Sequence, residues 1–251
     1  MKKIKIIVSY DGTDYEGWQS QPHQRTITNT LEKSFLKIFN EKISILGASR
    51  TDSGVHALGQ VATFSTDLKL DLSTIITAWN NLLPKDIVIR SGEEIQSDFN
   101  PLFHVEEKTY YYNLFYSKPL PFVARFGWHY SYLNSLDFEK LNKALNLYIG
   151  EHDFRSFCKL DPEETKSTIR TINSISMQKY DRFKMLQIKI RGKSFLRFQI
   201  RRMVGYALDI ARKEDLSLDY LKEIIEKPSP IQILTKAEAC GLCLRKIIYK
   251  K

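Results

Sequence analysis

Apolar and polar residues alternate along several short stretches of the chain, a pattern typical of β-strands with one buried face. The first stretch, Lys3 to Tyr10, is rich in β-branched residues and is followed by a polar segment. The same pattern predicts strands, or the start of one, at residues 42–46, 58–64, 87–89, 109–116, 172–180, 183–191 and 242–249. Strand-forming segments therefore recur over the whole length of the chain.

Apolar residues three to four positions apart mark the helices. Leu31, Phe35 and Phe39 fall on one side of such a helix, and Asn29 is expected near its start. Further helices are predicted at residues 71–83, 138–149, 196–212 and 218–226, and loops at 11–25, 47–56 and 161–167. Strands and helices do not alternate regularly, which favours an α+β fold with a largely antiparallel, mixed sheet.

A similar order of elements in the two parts of the chain indicates two related halves, with a boundary near residue 106. We expect residues 1–106 to carry the polar loop described below. Residues 107–251 should carry a tyrosine-rich strand and a basic helix.

The net charge of the chain indicates which kinds of molecule it could bind. The chain has 251 residues, with 38 Lys and Arg against 29 Asp and Glu, which gives +9 at pH 7. Such a balance favours RNA, DNA or an anionic membrane as partner, although a soluble basic protein without such a partner is an alternative. No apolar run approaches the roughly 20 residues of a membrane span and no signal peptide is evident, so we expect a cytoplasmic protein.

The cysteines indicate neither a disulfide framework nor a zinc site. There are three of them, and Cys240 and Cys243 form a lone C-x-x-C. A structural zinc site needs two further ligands at matching spacing, and the surrounding sequence offers none. We therefore interpret Cys240 and Cys243 as ordinary residues.

A loop of small and polar residues at 47–56 carries the strongest chemical signal. Arg50, Asp52 and His56 place a guanidinium, a carboxylate and an imidazole within seven positions. Small residues on either side let the backbone turn tightly and let a ligand approach. Without further information, this is also the composition of an ordinary polar loop between two strands.

This run resembles the G-R-T-D-x-G-V-H-A signature of the tRNA pseudouridine synthase A family. Other segments resemble that family in the same order along the chain, at residues 10–18, 59–61, 81–84, 103–110, 150–157, 195–205 and 241–244. The chain departs from the pattern at Ser49, Ser53 and Phe198, where the family usually has glycine, often alanine and frequently histidine. These departures concern local RNA contacts rather than the reaction.

The resemblance implies isomerisation of uridine to pseudouridine in the anticodon stem-loop of tRNA, near its 3′ side. The N-glycosidic bond breaks, the uracil turns, and C5 joins the ribose, so no redox cofactor or energy source is needed. We expect no metal or cofactor. Asp52 would be the catalytic carboxylate. Whether it attacks the ribose, attacks the base or removes a proton from the sugar is left open.

A uridine inside a stem must be flipped out before a carboxylate can reach it, and an aromatic ring can replace its lost stacking. By resemblance, Tyr110 is the candidate for that ring. It shares a strand face with Tyr112, whereas Tyr111 lies on the other face. Leu244 could press on the opposite side of the base, although core packing explains that leucine equally well.

Basic residues should hold the phosphates of the RNA. The candidates are Arg25, Arg50, Arg191, Arg197, Arg202, Lys246, Lys250 and Lys251. Taken alone, each is more often a solvated surface charge than an RNA contact. We interpret His56 as a loop or RNA contact and His152 as a structural hydrogen-bonding residue.

A helical wheel over the predicted helix at 196–212 separates two adjacent arginines. With Leu196 at the centre of the apolar stripe, Arg201 falls about 140° away, at its margin, and Arg202 about 240° away, nearly opposite. Arg201 should therefore reach a cleft, and the family pattern places there an arginine that would orient Asp52. Arg202 should remain in water and contact phosphate.

The resemblance also implies a catalytic cleft that lies between the two halves and holds Asp52. It further implies a homodimer in which each subunit completes the RNA contacts of the other. Two alternatives remain open at this point. The same chemistry could act on other tRNA positions or other RNAs. A catalytically silent RNA-binding module is disfavoured because Asp52, Tyr110 and Arg201 are all present.

Overall fold

A computed structural model describes residues 1–160, 167–230 and 234–250. The strands within these ranges are β1 Lys2–Tyr10, β2 Leu46–Gly47, β3 His56–Thr66, β4 Ile87–Ile95, β5 Val105–Phe115, β6 Trp128–His129, β7 Gly150–Asp153, β8 Ile169–Tyr180, β9 Met185–Gly192 and β10 Leu242–Tyr249. The α-helices are α1 Ile27–Phe39, α2 Leu72–Leu82, α3 Phe138–Asn146, α4 Gln199–Arg212 and α5 Leu218–Glu226. The α+β class predicted from the sequence is confirmed.

Contacts between residues divide the chain into two compact units. The first comprises Met1–Glu106 together with Cys243–Lys251, and the second comprises Glu107–Leu242. Residues 243–251 group with the first unit because β10 pairs in parallel with β3, through Cys243 with His56 and Leu244 with Ala57. The sequence prediction had counted these residues with the second half.

In the first unit, β1 lies between β4 and β3 and pairs antiparallel with both. The core between the sheet and the two helices α1 and α2 is aromatic. The ring of Phe35 lies 4.8 Å from that of Trp79, which in turn lies 5.3 Å from Phe64. The indole N–H of Trp79 donates to the hydroxyl of Ser34 at 2.9 Å, so the polar atom of this buried ring is satisfied.

In the second unit, β5 pairs antiparallel with β9, β9 with β8, and β8 with β7, while short β6 lies parallel to β5. This order bears out the predicted pairing of the strands at 172–180 and 183–191. Every residue of α4 except Arg202 and Arg212 is buried. The helix is therefore a central part of this unit's core rather than a surface helix.

Four predicted boundaries were wrong. Helix α1 begins at Ile27, because the hydroxyl of Thr26 caps it by accepting from the N–H of Asn29 at 3.2 Å. The strand predicted at 42–46 is reduced to the two-residue β2, because the N–H of Ile45 donates to the Glu32 carboxylate at 2.9 Å.

The other two boundaries concern α3 and α4. Helix α3 ends at Asn146 in a turn. Residues 196–198 precede α4 as a turn too, closed by the N–H of Gln199 bonding to the carbonyl oxygen of Leu196 at 3.1 Å.

The loop predicted at 161–167 falls largely on residues 161–166, which lie outside the described residues.

Candidate functional site

Asp52 lies in a tight turn in the first unit, just before β3. The N–H of Val55 donates to its carbonyl oxygen at 3.2 Å, and Gly54 adopts a left-handed backbone with φ of 75°. A left-handed residue here favours glycine because it has no Cβ to clash. The side chain of Asp52 is half-buried, so water or a ligand has access to it.

A second segment, residues 12–18, lies directly against this turn. The N–H of Gly54 donates to the carbonyl oxygen of Tyr15 at 3.2 Å, and the N–H of Trp18 donates to that of Thr51 at 3.0 Å. A Cβ on Gly12 would lie 2.0 Å from the carbonyl oxygen of Val55. The glycine therefore permits a backbone approach that any other residue would prevent.

Side chains hold the residues just before Asp52 as well. The hydroxyls of Thr51 and Tyr10 hydrogen-bond at 2.8 Å, and both side chains are buried. The Gln60 amide donates to the carbonyl oxygen of Ser49 at 2.5 Å. Asp52 is thus flanked on both sides by fixed residues, which restricts where its carboxylate can point.

His56, the first residue of β3, has only 3% of its surface exposed. Its Nδ1 lies 3.1 Å from the backbone nitrogen of Gly12 and 3.1 Å from a carboxylate oxygen of Asp11. One ring nitrogen cannot accept from Gly12 and donate to Asp11 at once. Because the amide proton of Gly12 is fixed, we assign Nδ1 as its acceptor. His56 therefore contacts Asp11 and Gly12 in the loop that follows β1. A contact between His56 and RNA stays a prediction.

The other two predicted residues of the first unit differ sharply in exposure. Arg50 is exposed, whereas Leu244 is fully buried in β10 beside β3. Two further arginines among the RNA candidates have carboxylate partners. Arg25 pairs with Asp86 at 3.0 Å, and in the second unit Arg191 pairs with Glu107 at 2.7 Å. Their charges are already compensated within the protein.

In the second unit, Tyr110 lies on β5 opposite Ile190 of β9 and is 5% exposed. Its ring meets that of Phe195 edge to face at 5.2 Å between centroids. Tyr112 lies on the same, buried face, and Tyr111 on the more exposed one, as strand alternation predicts.

Arg201 is buried near the start of α4, with 7% of its surface exposed. Its Nε donates to the carbonyl oxygen of Ala237 at 2.8 Å, and the N–H of Ala237 donates back to the carbonyl oxygen of Arg201 at 3.0 Å. This pair of bonds fixes the first part of the side chain. This burial agrees with its place at the margin of the apolar stripe, and its role in orienting Asp52 stays a prediction.

Three positively charged side chains, one of them Arg201, lie close to the ring of Phe198. The guanidinium carbons of Arg197 and Arg201 lie 5.1 Å and 5.6 Å from its centroid, and the ammonium of Lys236 lies 4.4 Å away. Cation–π attraction favours such placements. Lys236 was not singled out by the sequence, because nothing in its own neighbourhood marks it. Arg197 is exposed and precedes α4 instead of lying within it.

The prediction that Arg202 lies in water on the far face of α4 was wrong. Its side chain is half-buried and donates to the carbonyl oxygen of Cys158, and burial lowers its pKa. The helical wheel failed because residues 154–157 pack against α4 on that side.

His152 hydrogen-bonds to the carbonyl oxygen of Ile149 at 3.1 Å, the structural role predicted for it.

The described ranges contain neither a metal-binding cluster nor a membrane-spanning helix. Among those residues, no group of three or more His, Cys, Asp or Glu side chains is arranged to hold a metal ion. Within the same ranges, no helix combines the length and apolar character needed to cross a membrane. Cys158, Cys240 and Cys243 are free thiols.

The turn at Asp52 and the start of α4 lie in segments that match one family of proteins. Residues 6–104 and 144–250 match the family described as tRNA pseudouridine synthase, and the chain belongs to this family of RNA-modifying isomerases. The resemblance read from the sequence is thereby confirmed.

Individual relatives have a more specific name. A protein of Thermodesulfovibrio yellowstonii named tRNA pseudouridine synthase A is 37% identical over 259 residues, covering 99% of this chain and 100% of its own. Proteins of the same name from Acetivibrio thermocellus and Thermosipho melanesiensis are 34% and 35% identical, again over 99% of this chain and all of their own. The similarity therefore covers both units.

Proposed function

We propose that the protein isomerises uridine to pseudouridine in the anticodon stem-loop of tRNA. Family membership and the names of full-length relatives support the reaction and the substrate class. The resemblance stated above supports the stem-loop. The observation that carries the proposal is the half-buried Asp52 on a turn whose neighbours are fixed on both sides.

Asp52 supplies the carboxylate of this reaction. A carboxylate can act as a nucleophile or accept a proton, and either role requires it to be ionised and correctly oriented. The rigid turn provides the orientation at little entropic cost during the reaction. Tyr110 supplies an aromatic surface for the flipped uracil, and Arg201 a guanidinium for the carboxylate or the RNA. Arg50 and Arg197, both exposed, contribute positive charge for phosphates.

Replacement of Asp52 by asparagine tests the assignment. Asp52→Asn should fold and bind tRNA, yet form essentially no pseudouridine, because an amide of similar size is neither a nucleophile nor a base. Asp67→Asn is the matched control, since it removes an exposed carboxylate of the same unit. Pseudouridine formed per bound tRNA, measured in a single turnover, separates chemistry from binding. Turnover by Asp52→Asn close to that of the control would contradict the assignment.

The modified positions require a separate experiment. Pseudouridines mapped in tRNA from cells lacking the protein should be missing from the anticodon stem-loop, and the purified protein should restore them. Loss at other tRNA positions or in other RNAs would support the same chemistry with another substrate. No loss anywhere, together with tight tRNA binding, would indicate a silent RNA-binding module.

We also propose a cytoplasmic homodimer, on the family resemblance. Sedimentation equilibrium should give twice the 29.3 kDa mass of one chain. A single species at the mass of one chain, over the concentrations at which the enzyme is active, would exclude the dimer.

A further inference from the structure

Tyr15, Arg25 and Asp86 form a hydrogen-bonded group in the first unit, which we call the Tyr15 triad. The phenol of Tyr15 donates to one carboxylate oxygen of Asp86 at 2.6 Å. One guanidinium nitrogen of Arg25 donates to the phenol oxygen at 3.0 Å and to the other oxygen of Asp86 at 3.0 Å. The guanidinium also lies over the Tyr15 ring, 4.4 Å from its centroid. All three side chains therefore interact with one another.

The phenol at the centre of the triad is shielded from water. Tyr15 has 2% of its surface exposed. Burial, followed by the hydrogen bond to Asp86, raises the pKa of Tyr15 above its ordinary value. The phenol thus stays protonated and can donate to the carboxylate while it accepts from the guanidinium. Hydrogen bonds to charged groups are stronger than those between neutral groups, which favours the two part-buried bonds made by the phenol.

The backbone of Tyr15 is bonded to the catalytic turn. Its carbonyl oxygen accepts the N–H of Gly54, two residues after Asp52, at 3.2 Å. Three residues later, the N–H of Trp18 bonds to the carbonyl oxygen of Thr51, immediately before Asp52, at 3.0 Å. Residues 15–18 therefore hydrogen-bond to the turn on both sides of Asp52.

The triad supplies a side-chain link from this segment to residues beside the sheet and α1. Asp86 immediately precedes β4, and its own carbonyl oxygen accepts the N–H of Asp11 at 2.9 Å. Arg25 precedes α1, and its carbonyl oxygen accepts the N–H of Glu16 at 2.9 Å. Through its phenol, Tyr15 thus connects residues 15–18 by hydrogen bonds to Asp86, just before β4, and to Arg25, just before α1.

We propose that Tyr15 is a positioning residue for the reaction, acting through the backbone of the Asp52 turn, with Arg25 and Asp86 as its anchors. The inference rests on the proposed function of Asp52. It assigns Arg25 to the triad in place of the phosphate contact expected from the sequence, since its charge is paired with Asp86. Loss of the phenol oxygen loosens the segment, and the carboxylate of Asp52 then spends less time in the productive orientation.

Tyr15→Phe is the direct test, because it removes one oxygen and leaves the ring. The single-turnover rate at saturating enzyme should fall about 10- to 100-fold, since misplacement of a catalytic group by about 1 Å has effects of that size. The Kd for tRNA should change by less than about twofold, because the variant removes no group that binds RNA. Asp86→Asn keeps an acceptor for the phenol and should stay closer to the wild-type rate than Asp86→Ala.

Ser34→Ala is the matched control for a general loss of stability. It removes the buried hydrogen bond from the Trp79 indole in the same unit, at 2.9 Å, without touching the Asp52 turn. Its Tm should fall, whereas its single-turnover rate below the unfolding transition should equal that of the wild type. Equal slowing by Tyr15→Phe and Ser34→Ala would overturn the inference.

Failure of this inference can be distinguished from failure of the proposed function. If Asp52→Asn is inactive while Tyr15→Phe reacts at the wild-type rate, Tyr15 has no positioning role and the function stands. If the wild-type protein forms no pseudouridine in tRNA, both fall together.

Arg25→Met should also slow the reaction of bound tRNA. A weaker affinity and smaller salt slope with an unchanged rate would instead make Arg25 a phosphate contact and overturn its assignment to the triad.

Discussion

At the scale of single residues, Lys108 on β5 is a charge held largely out of water. It is 9% exposed, and burial together with the nearby charge of Arg170 lowers its pKa to about 8. In an unfolded chain a lysine titrates near pH 10.4, so the unfolded state binds more protons between about pH 8 and 10.4. The free energy of unfolding should therefore rise with pH across this window.

Lys108→Met tests this linkage. Denaturant titrations of wild type and variant at several pH values should give a difference in unfolding free energy that grows from about pH 8 to about pH 10.4 and is constant below that. The difference cancels the titration of all other groups. A pH-independent difference would show that Lys108 keeps an ordinary pKa in the folded protein.

Arg202 gives a second prediction at this scale, because its environment differs from the one expected. Arg202→Ala should lower Tm, since it leaves the carbonyl oxygen of Cys158 without this donor and opens a gap beside α4. Arg50→Ala, at an exposed position, should leave Tm unchanged and reduce the salt slope of tRNA binding by about one unit. The opposite assignment of the two effects would show that Arg202 meets RNA.

At the scale of elements, the close packing of the 12–18 segment on the Asp52 turn depends on glycine. Gly17 has φ of 92°, and a Cβ there would lie 2.7 Å from the carbonyl oxygen of Thr51. Gly150, the first residue of β7, has φ of 111°, but a Cβ there would meet only the ring of His152, at 3.4 Å. The two positions share the strain of a positive φ, roughly 1–2 kcal/mol for a residue with a Cβ. They differ in what a Cβ would meet, which is the backbone of the Asp52 turn at Gly17 and only a side-chain ring at Gly150.

Gly17→Ala should therefore lower both Tm and the single-turnover rate, because the Asp52 turn must shift to make room. Gly150→Ala should lower Tm alone. Thermal unfolding and single-turnover kinetics on the same preparations measure both effects. Unchanged kinetics in Gly17→Ala would mean that the turn does not depend on this contact.

Elements were predicted well where their pattern is local and less well where a distant partner intervenes. Helix α5 and strand β10 follow the predicted ranges because their own periodicity determines them. Residues 42–46 have the composition of a strand, yet the side chain of Glu32 takes the N–H of Ile45. The start of α4 moved because Phe198 adopts a left-handed backbone, with φ of 65°, which the apolar period cannot reveal.

At the scale of the whole molecule, the net charge of +9 predicts a strong salt dependence of tRNA binding. Neutralisation of about five phosphates would lose roughly two to three decades of affinity between about 50 and 200 mM salt, on duplex-like slopes. Binding curves at several salt concentrations give the slope directly. A flat dependence would show that the positive charge is incidental to RNA binding.

The sequence by itself determined the fold class, the family and the identity of the candidate catalytic carboxylate. These follow from local periodicity and from motifs in which the relevant residues are neighbours, as Thr51, Asp52 and Gly54 are. Only the tertiary structure decided what surrounds them. Tyr15 bonds to Asp86, 71 positions away, and Arg202 to Cys158, 44 positions away. Such partners are chosen by the packing of the folded chain, which brings distant polar atoms together out of water and so requires them to pair.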